Sequence, residues 1–567
     1  MGINDTHLIK KGLSTTRKWW KEQIIYQIYP RSFKDSTGTG VGDLRGVIEK
    51  LDYIQSLGVT SVWLNPIYQS PNDDNGYDIS NYCEIMEEFG SMDDFDELLA
   101  GLHKRNIKFI MDLVVNHSSD EHEWFKQSRS SRDNPYRDYY HWWPAEKGKP
   151  HFRWSFFDNK GEAWKYDEQT DAYYLHYFSQ KQPDLNWENP KVRQEVYKIM
   201  RFWAEKGVDG FRLDAFQFVS KDTSFPKWSD EYENDFSHII PTHGMGPYLH
   251  DYAREMYDEV LSKYDVFAVS EGVGSSFEDA HALVDEDRNE LQMAYHFDCV
   301  DMGVDVDNPQ TLPQFKDIHS QWDKSFAEKG WLSIFLANHD LPRMVSRFGN
   351  DAPAYRDASA KMLNTFLLSM RGTSYCYFGD ELGMTNISFE TIDEYKDIAA
   401  INGYKKAQHN GEDLDKFMRN LKAFSRDNSR TPMQWNSEEN AGFSDKTPWI
   451  PVNENYQHIN AQAQENDPNS VLNHFRKLTE LRKQRLTLVY GSYELLEAKH
   501  ESLYAYKREL DGDTLLVALN FSDQPQTLSL NSLTLSDNTL INNYDSINSS
   551  PEALTLAPYQ AMIIEAK

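Results

Sequence analysis

The sequence predicts an α/β fold: a (β/α)₈ TIM barrel with an inserted subdomain after its third strand and a C-terminal antiparallel β-sandwich domain. Three observations predict it. Short apolar runs alternate with amphipathic segments until eight such units are complete, the count of this barrel. A long irregular stretch interrupts the alternation after the third unit. Beyond about residue 487 the runs become short and alternating, with polar turns between them, as in a β-sandwich.

Eight runs are predicted as barrel strands because each is short, apolar and bounded by turn or helix signals. They are "IIYQIYP" (24–30), "SVWLNP" (61–66), "KFIMDLVV" (108–115), "GFRLDAF" (210–216), "VFAVSEG" (266–272), "MAYHFD" (core 294–298), "SIFLANHD" (333–340) and "SYCYFGDEL" (374–382). Helical spacing predicts helices at 43–58, 92–106, 190–206 and near 248–263. An open doubly wound sheet is the alternative, but no Gly-x-Gly-x-x-Gly follows the first strand.

The irregular stretch is rich in Trp, Tyr, His, Asp and Pro and is too long for an ordinary loop. We therefore predict four segments. They are a first barrel part (1–116), an inserted subdomain (117–187), a second barrel part (188–486) and a C-terminal β domain (487–567).

The charge balance restricts the partners. The formal charge is −30 and the isoelectric point is near 5.0. Nucleic acids and anionic membranes bind basic faces, so neither is expected as a partner. The sequence does not predict an oligomeric state.

Three cysteines, Cys83, Cys299 and Cys376, are too few and too scattered for a disulfide framework or a zinc cluster. We expect buried thiols in a reducing compartment. No apolar run of signal-peptide length begins the sequence, and no run of about 18 apolar residues follows. The expected location is the cytoplasm.

Acidic residues recur where the predicted strands end. Asp112 lies near the end of the third strand, Asp214 ends the fourth, Glu271 ends the fifth, and Asp340 ends the seventh. Such groups converge on one mouth of a barrel. Arg212 lies two residues before Asp214, on the same face of the strand, and is expected to keep that acid ionised and oriented. A structural role is the favoured interpretation for Asp112.

Two opposed carboxyl groups can hydrolyse an acetal. One attacks the anomeric carbon, and the other, kept protonated, gives a proton to the leaving oxygen. In retaining enzymes the two groups stand about 5–5.5 Å apart. A third carboxylate can bind sugar hydroxyls and stabilise the transition state.

The motifs that carry these acids resemble the α-amylase superfamily, glycoside hydrolase family 13. They are "DLVVNH" (112–117), "GFRLDAF" (210–216), "VSEG" (269–272) and "ANHDLPR" (337–343). Two more, "QPDLNWENP" (182–190) and "SRDNSRTPMQW" (425–435), resemble its oligo-1,6-glucosidase subfamily. That subfamily also holds α-glucosidases, dextran glucosidases, trehalose-6-phosphate hydrolases and sucrose isomerases.

The resemblance implies that Asp214 is the nucleophile, Glu271 the general acid/base and Asp340 the transition-state stabiliser. It implies that residues of the −1 subsite hold the glucose ring. In this implied arrangement, Asp74 holds the 4-hydroxyl of the glucose, Tyr77 stacks on its ring, and Arg426 pairs with Asp74. His117 and His339 form hydrogen bonds with glucose hydroxyls. Phe178 and Gln182 line the same pocket. A structural hydrogen bond is the alternative for each histidine, and a core position is the alternative for Phe178. A pocket closed in this way releases single glucose units from non-reducing ends.

Ala215 follows the nucleophile, where α-1,6-acting relatives usually carry Val. Because Ala leaves more room on the +1 side, we expect α-1,4 or mixed linkage preference. The alternative is that Ala215 only packs there.

The loop "DSTGTGVGD" (35–43) resembles the calcium loop of the subfamily. The candidate ligands are Asp35, Thr37, Thr39, Val41 and Asp43. Thr37 and Thr39 replace an Asn and an Asp, and calcium affinity depends on the number of charged ligands. We therefore expect a metal-free loop, held by threonine hydroxyls, and no cofactor.

The leading hypothesis is a retaining exo-α-glucosidase acting on short oligosaccharides or disaccharides. A strict oligo-1,6-glucosidase or dextran glucosidase, or a sucrose isomerase or glucosyltransferase, is the same-fold alternative. Trehalose-6-phosphate hydrolase is less favoured. The remaining alternative is a non-catalytic binding protein, which the retained acids Asp214, Glu271 and Asp340 disfavour.

Overall fold

A computed structural model describes residues 7–10, 13–157, 161–530 and 533–567. Eight parallel strands form its central sheet. In chain order they are Ile24–Ile28, Ser61–Leu64, Lys108–Val114, Gly210–Asp214, Phe267–Glu271, Met293–Tyr295, Ser333–Ile334 and Thr373–Tyr377. In space the order is 6-5-4-3-2-1-8-7, and a parallel bridge between Ala294 and Leu332 joins the sixth strand to the seventh. The predicted barrel is confirmed.

Helices cover the outside of the barrel and connect its strands. The α-helices are Leu44–Glu49, Leu51–Ser56, Met92–Lys104, Glu123–Ser128, Pro190–Lys206, Asp230–Asn234, Ile239–His243, Leu249–Met256, Phe277–Val284, Asp298–Asp301, Leu312–Ser325, Met344–Phe348, Arg356–Ser369, Ile398–Asn410, Leu414–Phe424, Asp427–Arg430, Ala461–Glu465, Val471–Gln484 and Thr487–Tyr490. Short 3₁₀ turns include Trp19–Glu22, Pro30–Ser32, Arg137–Tyr139, Ala145–Lys147, Phe216–Phe218, Phe236–His238, Asp380–Leu382, Ile392–Glu394 and Glu454–Gln457. Among the described helices, none is long and apolar enough to cross a lipid bilayer.

Several predicted elements are longer than the observed ones. The seventh strand ends at Ile334, although its apolar run continues through Phe335, Leu336 and Ala337. These three residues are buried without strand pairing, so their apolar pattern could not be distinguished from a strand. The eighth strand likewise ends at Tyr377.

Two predicted helices are interrupted. The helix expected over 43–58 divides into two at Lys50, whose φ of −102° and ψ of 9° are not helical and end the first helix. The helix expected near 248–263 is α-helical over Leu249–Met256 and continues as a π-helix over Tyr257–Leu261. The apolar spacing of the sequence predicted neither interruption.

The segment between the third and fourth barrel strands contains a three-stranded antiparallel sheet. Its strands are Trp142–Pro144, Trp164–Asp167 and Ala172–Leu175. Buried Lys221, beyond the fourth strand, ties this segment to the barrel because its Nζ lies 3.1 Å from Oδ2 of Asp184 and donates to Oδ1 of Asn116 at 3.0 Å. Two small antiparallel pairs, His7–Lys10 with Leu13–Thr16 and Tyr68–Gln69 with Asn81–Ile85, lie elsewhere.

The C-terminal region is a sandwich of two antiparallel sheets, as predicted. One sheet holds Ser492–Leu496, Leu503–Leu510, Asp513–Asn520, Ala561–Ala566 and Leu535–Asn542, in that order. The other holds Gln526–Ser529, Ala553–Leu556 and Asn548–Ser549. Buried Leu516 and Ile564 of the first sheet pack with Leu528 and Leu554 of the second. The four predicted segment boundaries stay predictions, and residues 1–6, 11–12, 158–160 and 531–532 of those segments lie outside the described residues.

Two buried cations join the sandwich to the barrel. Lys316 of a barrel helix donates to the carbonyl oxygens of Glu497, His500 and Leu503 at 2.9, 2.6 and 3.0 Å. Arg508 of the sandwich donates in return to the carbonyl oxygen of Ser369, which ends another barrel helix.

Candidate active site

One buried guanidinium connects the acids at the strand ends. Arg212 of the fourth barrel strand is fully buried, and its Nη1 donates to Oδ1 of Asp214 at 2.5 Å and to Oδ1 of Asp112 at 3.0 Å. Its Nη2 lies 2.5 Å from Oε1 of Glu271. A charge removed from water must be paired, and this pairing explains why Arg212 is tolerated in an apolar strand. The shared cation holds Asp214 and Glu271 beside each other at the ends of neighbouring strands.

Asp112 lies deeper than the other acids and has a supporting position. Its side chain is fully buried, and its Oδ2 accepts from Tyr77 Oη at 2.9 Å and from Trp63 Nε1 at 3.3 Å. Asp112 therefore fixes Arg212 and Tyr77 from behind.

The backbone after Asp214 holds Glu271. The N–H of Ala215 donates to Oε2 of Glu271 at 2.9 Å. Ala215 has a φ of 49°, in the left-handed region that residues other than glycine rarely adopt, and such strain clusters at functional sites. Gly272, directly after Glu271, has a φ of 81°, and a Cβ there would lie 2.4 Å from Nε2 of Gln217. Only glycine fits that position.

Asp340 lies in a loop beyond the seventh strand and not at the strand end, which corrects the prediction. Its Oδ1 accepts from Arg426 Nη1 at 3.0 Å and from Arg430 Nη2 at 2.9 Å. Its Oδ2 lies 3.0 Å from Nε2 of His339. Burial raises the pKa of Asp340, but His339 and the two arginines outweigh it and hold the pKa well below its usual range. Asp340 is therefore ionised at neutral pH.

His339 is held between a donor and the stacked ring of Tyr77. Gln27 Nε2 lies 2.9 Å from its Nδ1, so Nδ1 accepts and Nε2 carries the proton. Nε2 then donates to Oη of Tyr77, 2.7 Å away, or to Asp340. The rings of Tyr77 and His339 are stacked with centroids 5.3 Å apart. Burial lowers the pKa of His339.

Asp74, His117 and Gln182 meet at the other side. Nε2 of Gln182 donates to Oδ2 of Asp74 at 3.1 Å and lies 3.2 Å from Nε2 of His117. The same His117 nitrogen lies 3.1 Å from the carbonyl oxygen of Tyr77. Burial lowers the pKa of His117 to about 3, so its imidazole is neutral. Arg426 reaches Asp74 only at 4.0 Å, whereas its shorter contacts are with Asp340 and Asp397.

These residues surround one pocket of about 320 Å³, within the size of small-ligand sites. Its polar wall is formed by Asp74, Tyr77, His117, Asp214, Gln217, Glu271, Asp301, Asp340 and Arg426, and its apolar wall by Phe156, Phe157, Phe178, Ala215, Phe218, Ile240, Phe297 and Leu341. Of the predicted site residues, Arg212, Gln182 and His339 lie one layer behind and orient the lining groups. The structure thus brings the predicted residues together, and the roles that the resemblance implies for them stay predictions.

Comparison with known proteins identifies the family of the chain. Residues 27–491 match the model of the α-amylase catalytic domain, and residues 493–563 match that of the maltogenic amylase C-terminal domain. The chain belongs to the α-amylase family. It is a glycoside hydrolase of glycoside hydrolase family 13.

Relatives of this α-amylase family chain are similar over their whole length. An oligo-1,6-glucosidase of Bacillus cereus is 50% identical, with 97% of this chain and 100% of the relative covered. An α-glucosidase of Pediococcus pentosaceus is 44% identical, with 98% and 100% covered. The crystal structure of isomaltulose synthase from Klebsiella sp. LX3 is 43% identical, has a TM-score of 0.93, and is matched over 97% of this chain and 100% of its own.

The loop that resembles the family's calcium site has its acidic oxygens occupied. Oδ1 of Asp35 accepts from the backbone N–H groups of Thr37 and Gly38 at 3.0 and 2.8 Å, and Oδ2 accepts from the N–H of Gly40 at 2.8 Å and from Ser444 Oγ at 2.6 Å. Donated N–H groups surround Asp35 where a cation needs oxygen atoms. Both carboxylate oxygens of Asp35 therefore already accept hydrogen bonds, and a loop without calcium stays a prediction.

Asp43 is satisfied in the same way. Its Oδ1 accepts from Ser36 Oγ and from the N–H of Gly46, both at 2.7 Å. The threonine hydroxyls predicted to hold the loop make only long contacts. Thr37 Oγ1 lies 3.4 Å from Asp43 Oδ2, and Thr39 Oγ1 lies 3.3 Å from the carbonyl oxygen of Val41. Backbone amides, not threonine side chains, hold this loop.

The sequence interpretation missed two residues beside Asp340. Arg430 donates to Asp340 and also, through Nε, to the carbonyl oxygen of His339 at 2.9 Å. It lies in the segment 425–435, in which the family resemblance implies a role only for Arg426. Asp397 contacts Arg426 from the start of a helix. An acid at a helix start is usually only a cap, so no sequence signal distinguished Asp397.

Proposed function

We propose that this α-amylase family chain is a retaining exo-α-glucosidase. It releases glucose from the non-reducing ends of short α-glucosides with α-1,4 or mixed α-1,4 and α-1,6 linkages. The single observation that supports this most strongly is the pair Asp214 and Glu271 on one guanidinium, facing a pocket that also contains Asp340.

The reaction takes two steps. In the first, a carboxylate oxygen of Asp214 forms a bond to the anomeric carbon while the glycosidic bond breaks, and the proton of Glu271 moves to the leaving oxygen. This produces a glucosyl ester on Asp214 and a free alcohol. In the second, Glu271 takes a proton from water, whose oxygen attacks the anomeric carbon and releases Asp214. Two inversions retain the α-configuration.

The electrostatics suit this exchange of roles. Burial raises the pKa of Glu271 to about 7, with Arg212 opposing and the charge of Asp214 adding to the rise. Burial also raises the pKa of Asp214, and Arg212 acts against it. When Asp214 becomes an uncharged ester, its contribution to the pKa of Glu271 disappears. Glu271 then ionises more easily, as the base of the second step must.

The pocket supports release of single glucose units. Asp74 lines the pocket, is buried and accepts a hydrogen bond from Gln182. Burial, opposed by Arg426 and Arg430, raises the pKa of Asp74 to about 7. A carboxyl group in that place bonds the 4-hydroxyl of the terminal glucose, and no further sugar residue then fits beyond it.

The linkage preference depends on Ala215. Its side chain lines the pocket together with Phe218, Ile240 and Phe297, on the side where the leaving sugar lies in this proposal. A single methyl group leaves space for the ring of a directly linked α-1,4 sugar. An α-1,6 link adds a flexible methylene group between the two sugars. Binding of an α-1,6-linked substrate is therefore less sensitive to a larger side chain at position 215.

Initial rates on maltose, isomaltose and maltotriose test the function. We expect glucose as the first product from all three, and α-glucose as the first anomer seen by NMR. Ala215→Val is expected to raise the isomaltose-to-maltose ratio of kcat/KM by about tenfold, since crowding by one or two methyl groups is worth about 1–3 kcal/mol.

The matched control is Ala215→Gly, which relieves the positive φ and leaves the space open. The isomaltose-to-maltose ratio of kcat/KM should stay near the wild-type value in Ala215→Gly, whereas it should rise in Ala215→Val. Release of β-glucose, or of maltose from the non-reducing end of a longer chain, is incompatible with the proposal.

A sucrose isomerase is the second candidate, because an isomaltulose synthase has nearly the same structure at 43% identity. It differs only in whether fructose or water resolves the glucosyl ester. Chromatography of the products from sucrose separates the two: glucose and fructose support hydrolysis, and a glucosylfructose isomer supports isomerisation.

We propose that the enzyme works without a metal ion in the 35–43 loop, in the cytoplasm. EDTA or added CaCl₂ should change the melting temperature by less than about 2 °C. A calcium ion that bound only the folded state would instead raise the melting temperature as the calcium concentration increased. Differential scanning fluorimetry and the maltose rate measure both effects. Asp35→Asn, which removes the acceptor charge of the loop, should lower the melting temperature with and without EDTA alike. A loss of activity in EDTA that CaCl₂ reverses would contradict the proposal.

A further inference from the structure

Arg426 lies between three carboxyl groups at the edge of the pocket. Its Nε donates to Oδ2 of Asp397 at 3.1 Å and its Nη2 donates to Oδ1 of the same residue. Its Nη1 donates to Asp340 at 3.0 Å, and Asp74 lies 4.0 Å away. Asp397 therefore receives the bidentate contact, which fixes the plane of a guanidinium.

Asp397 is itself rigidly held. It is 2% exposed and begins the helix Ile398–Asn410, where its Oδ1 accepts from the N–H of Ala399 at 3.1 Å. Its own N–H donates to Oδ2 of Asp427 at 3.0 Å. The carboxylate therefore meets Arg426 from a fixed direction. The ring of Phe157, 5.1 Å from the guanidinium, borders it from the pocket.

This contact keeps the pocket acids available to a ligand. The guanidinium carries five N–H donors, and Asp397 accepts from Nε and Nη2. Without Asp397, those donors would lose their partner in a buried place, which is costly. The remaining acceptors within reach are Asp340 and Asp74. A guanidinium that turned onto them would compete with sugar hydroxyls for the same oxygens.

We propose that Asp397 is a positioning residue that holds Arg426 at the pocket edge, so that Arg426 keeps its single hydrogen bond to Asp340 and leaves Asp74 open to bind the glucosyl unit. This inference rests on the proposed function, because it assumes that a glucosyl unit occupies this pocket. Asp397 does not line the pocket; it accepts hydrogen bonds from Arg426, and Nη1 of Arg430 lies 3.9 Å from its Oδ1.

The test compares Asp397→Ser with wild type. Serine is also a good helix cap, but it is too short to reach Arg426. The inhibition constant of free glucose against maltose hydrolysis and the KM for maltose should both rise about tenfold or more, as expected when one partner of a buried charge pair is removed. The melting temperature, measured alongside, reports any purely structural loss.

Asp393→Ser is the matched control, since Asp393 is exposed and precedes the same helix; its constants should equal those of wild type. An unchanged glucose inhibition constant in Asp397→Ser overturns the inference even if stability falls. Should that variant not fold, Asp397→Asn decides, because asparagine keeps the cap and one acceptor: a rise in the constant supports the inference and no rise overturns it. Failure of the wild type to release glucose from any α-glucoside would instead refute the proposed function.

Discussion

Asp214→Ala is expected to reduce glucose release from maltose by about 10⁴-fold or more, as removal of a nucleophile does in other enzymes that form covalent intermediates. Without its carboxylate no glucosyl ester can form, and Arg212 loses one of its acceptors. Initial rates with coupled glucose detection measure the loss. Arg212 keeps its contacts with Asp112 and Glu271 in the variant, so the melting temperature should fall only modestly.

Azide serves as the control for this loss. A small anion can occupy the space of the missing carboxylate and attack the anomeric carbon of an activated aryl α-glucoside directly. One displacement inverts the configuration, so the expected product is β-glucosyl azide. If the alanine variant hydrolysed maltose at the wild-type rate, Asp214 would not be the nucleophile.

Glu271→Gln should lower the maltose rate by about 10²–10⁴-fold, the usual contribution of a general acid. An aryl α-glucoside with a good leaving group needs little protonation, so its first step should be much less affected. A burst of the aryl alcohol followed by slow turnover is then expected, since the second step lacks its base. Equal losses on both substrates would argue against the role of Glu271.

The pH dependence belongs to the same prediction. Glu271 must be protonated to act as an acid, and its pKa is raised to about 7. The wild-type kcat/KM for maltose should therefore fall as the pH rises through about 7. Glutamine does not titrate, so this basic limb should be absent in Glu271→Gln. Persistence of the limb in that variant would assign it to another group.

Much of the site could be predicted because acids at strand ends are visible in a sequence. Asp214 and Glu271 follow buried strands directly, and parallel strands bring their ends to one mouth. Asp340 was found from its motif, although the seventh strand is far shorter than its apolar run. The residues that follow the seventh strand are as apolar as the strand itself, because they are buried in a loop. The end of the strand was therefore not predictable from the sequence.

Contacts between distant segments were not predictable. Asp397 meets Arg426 because a helix start and a turn happen to face each other in space. Backbone amides of the 35–43 loop likewise took the place expected for threonine hydroxyls, and backbone donors leave no trace in residue identity. Side-chain types suggest chemistry, whereas the partner of each group depends on the folded chain.

The buried cations that the barrel and the sandwich place in each other have a practical consequence. Lys316 and Arg508 each reach across to carbonyl oxygens of the other unit, and the aromatic rings of Phe315 and Tyr504 meet at the same boundary. Removal of the sandwich would leave the ammonium group of Lys316 without its hydrogen-bond acceptors and would expose apolar surface on the barrel. We therefore expect that the C-terminal sandwich cannot be removed without destabilising the barrel.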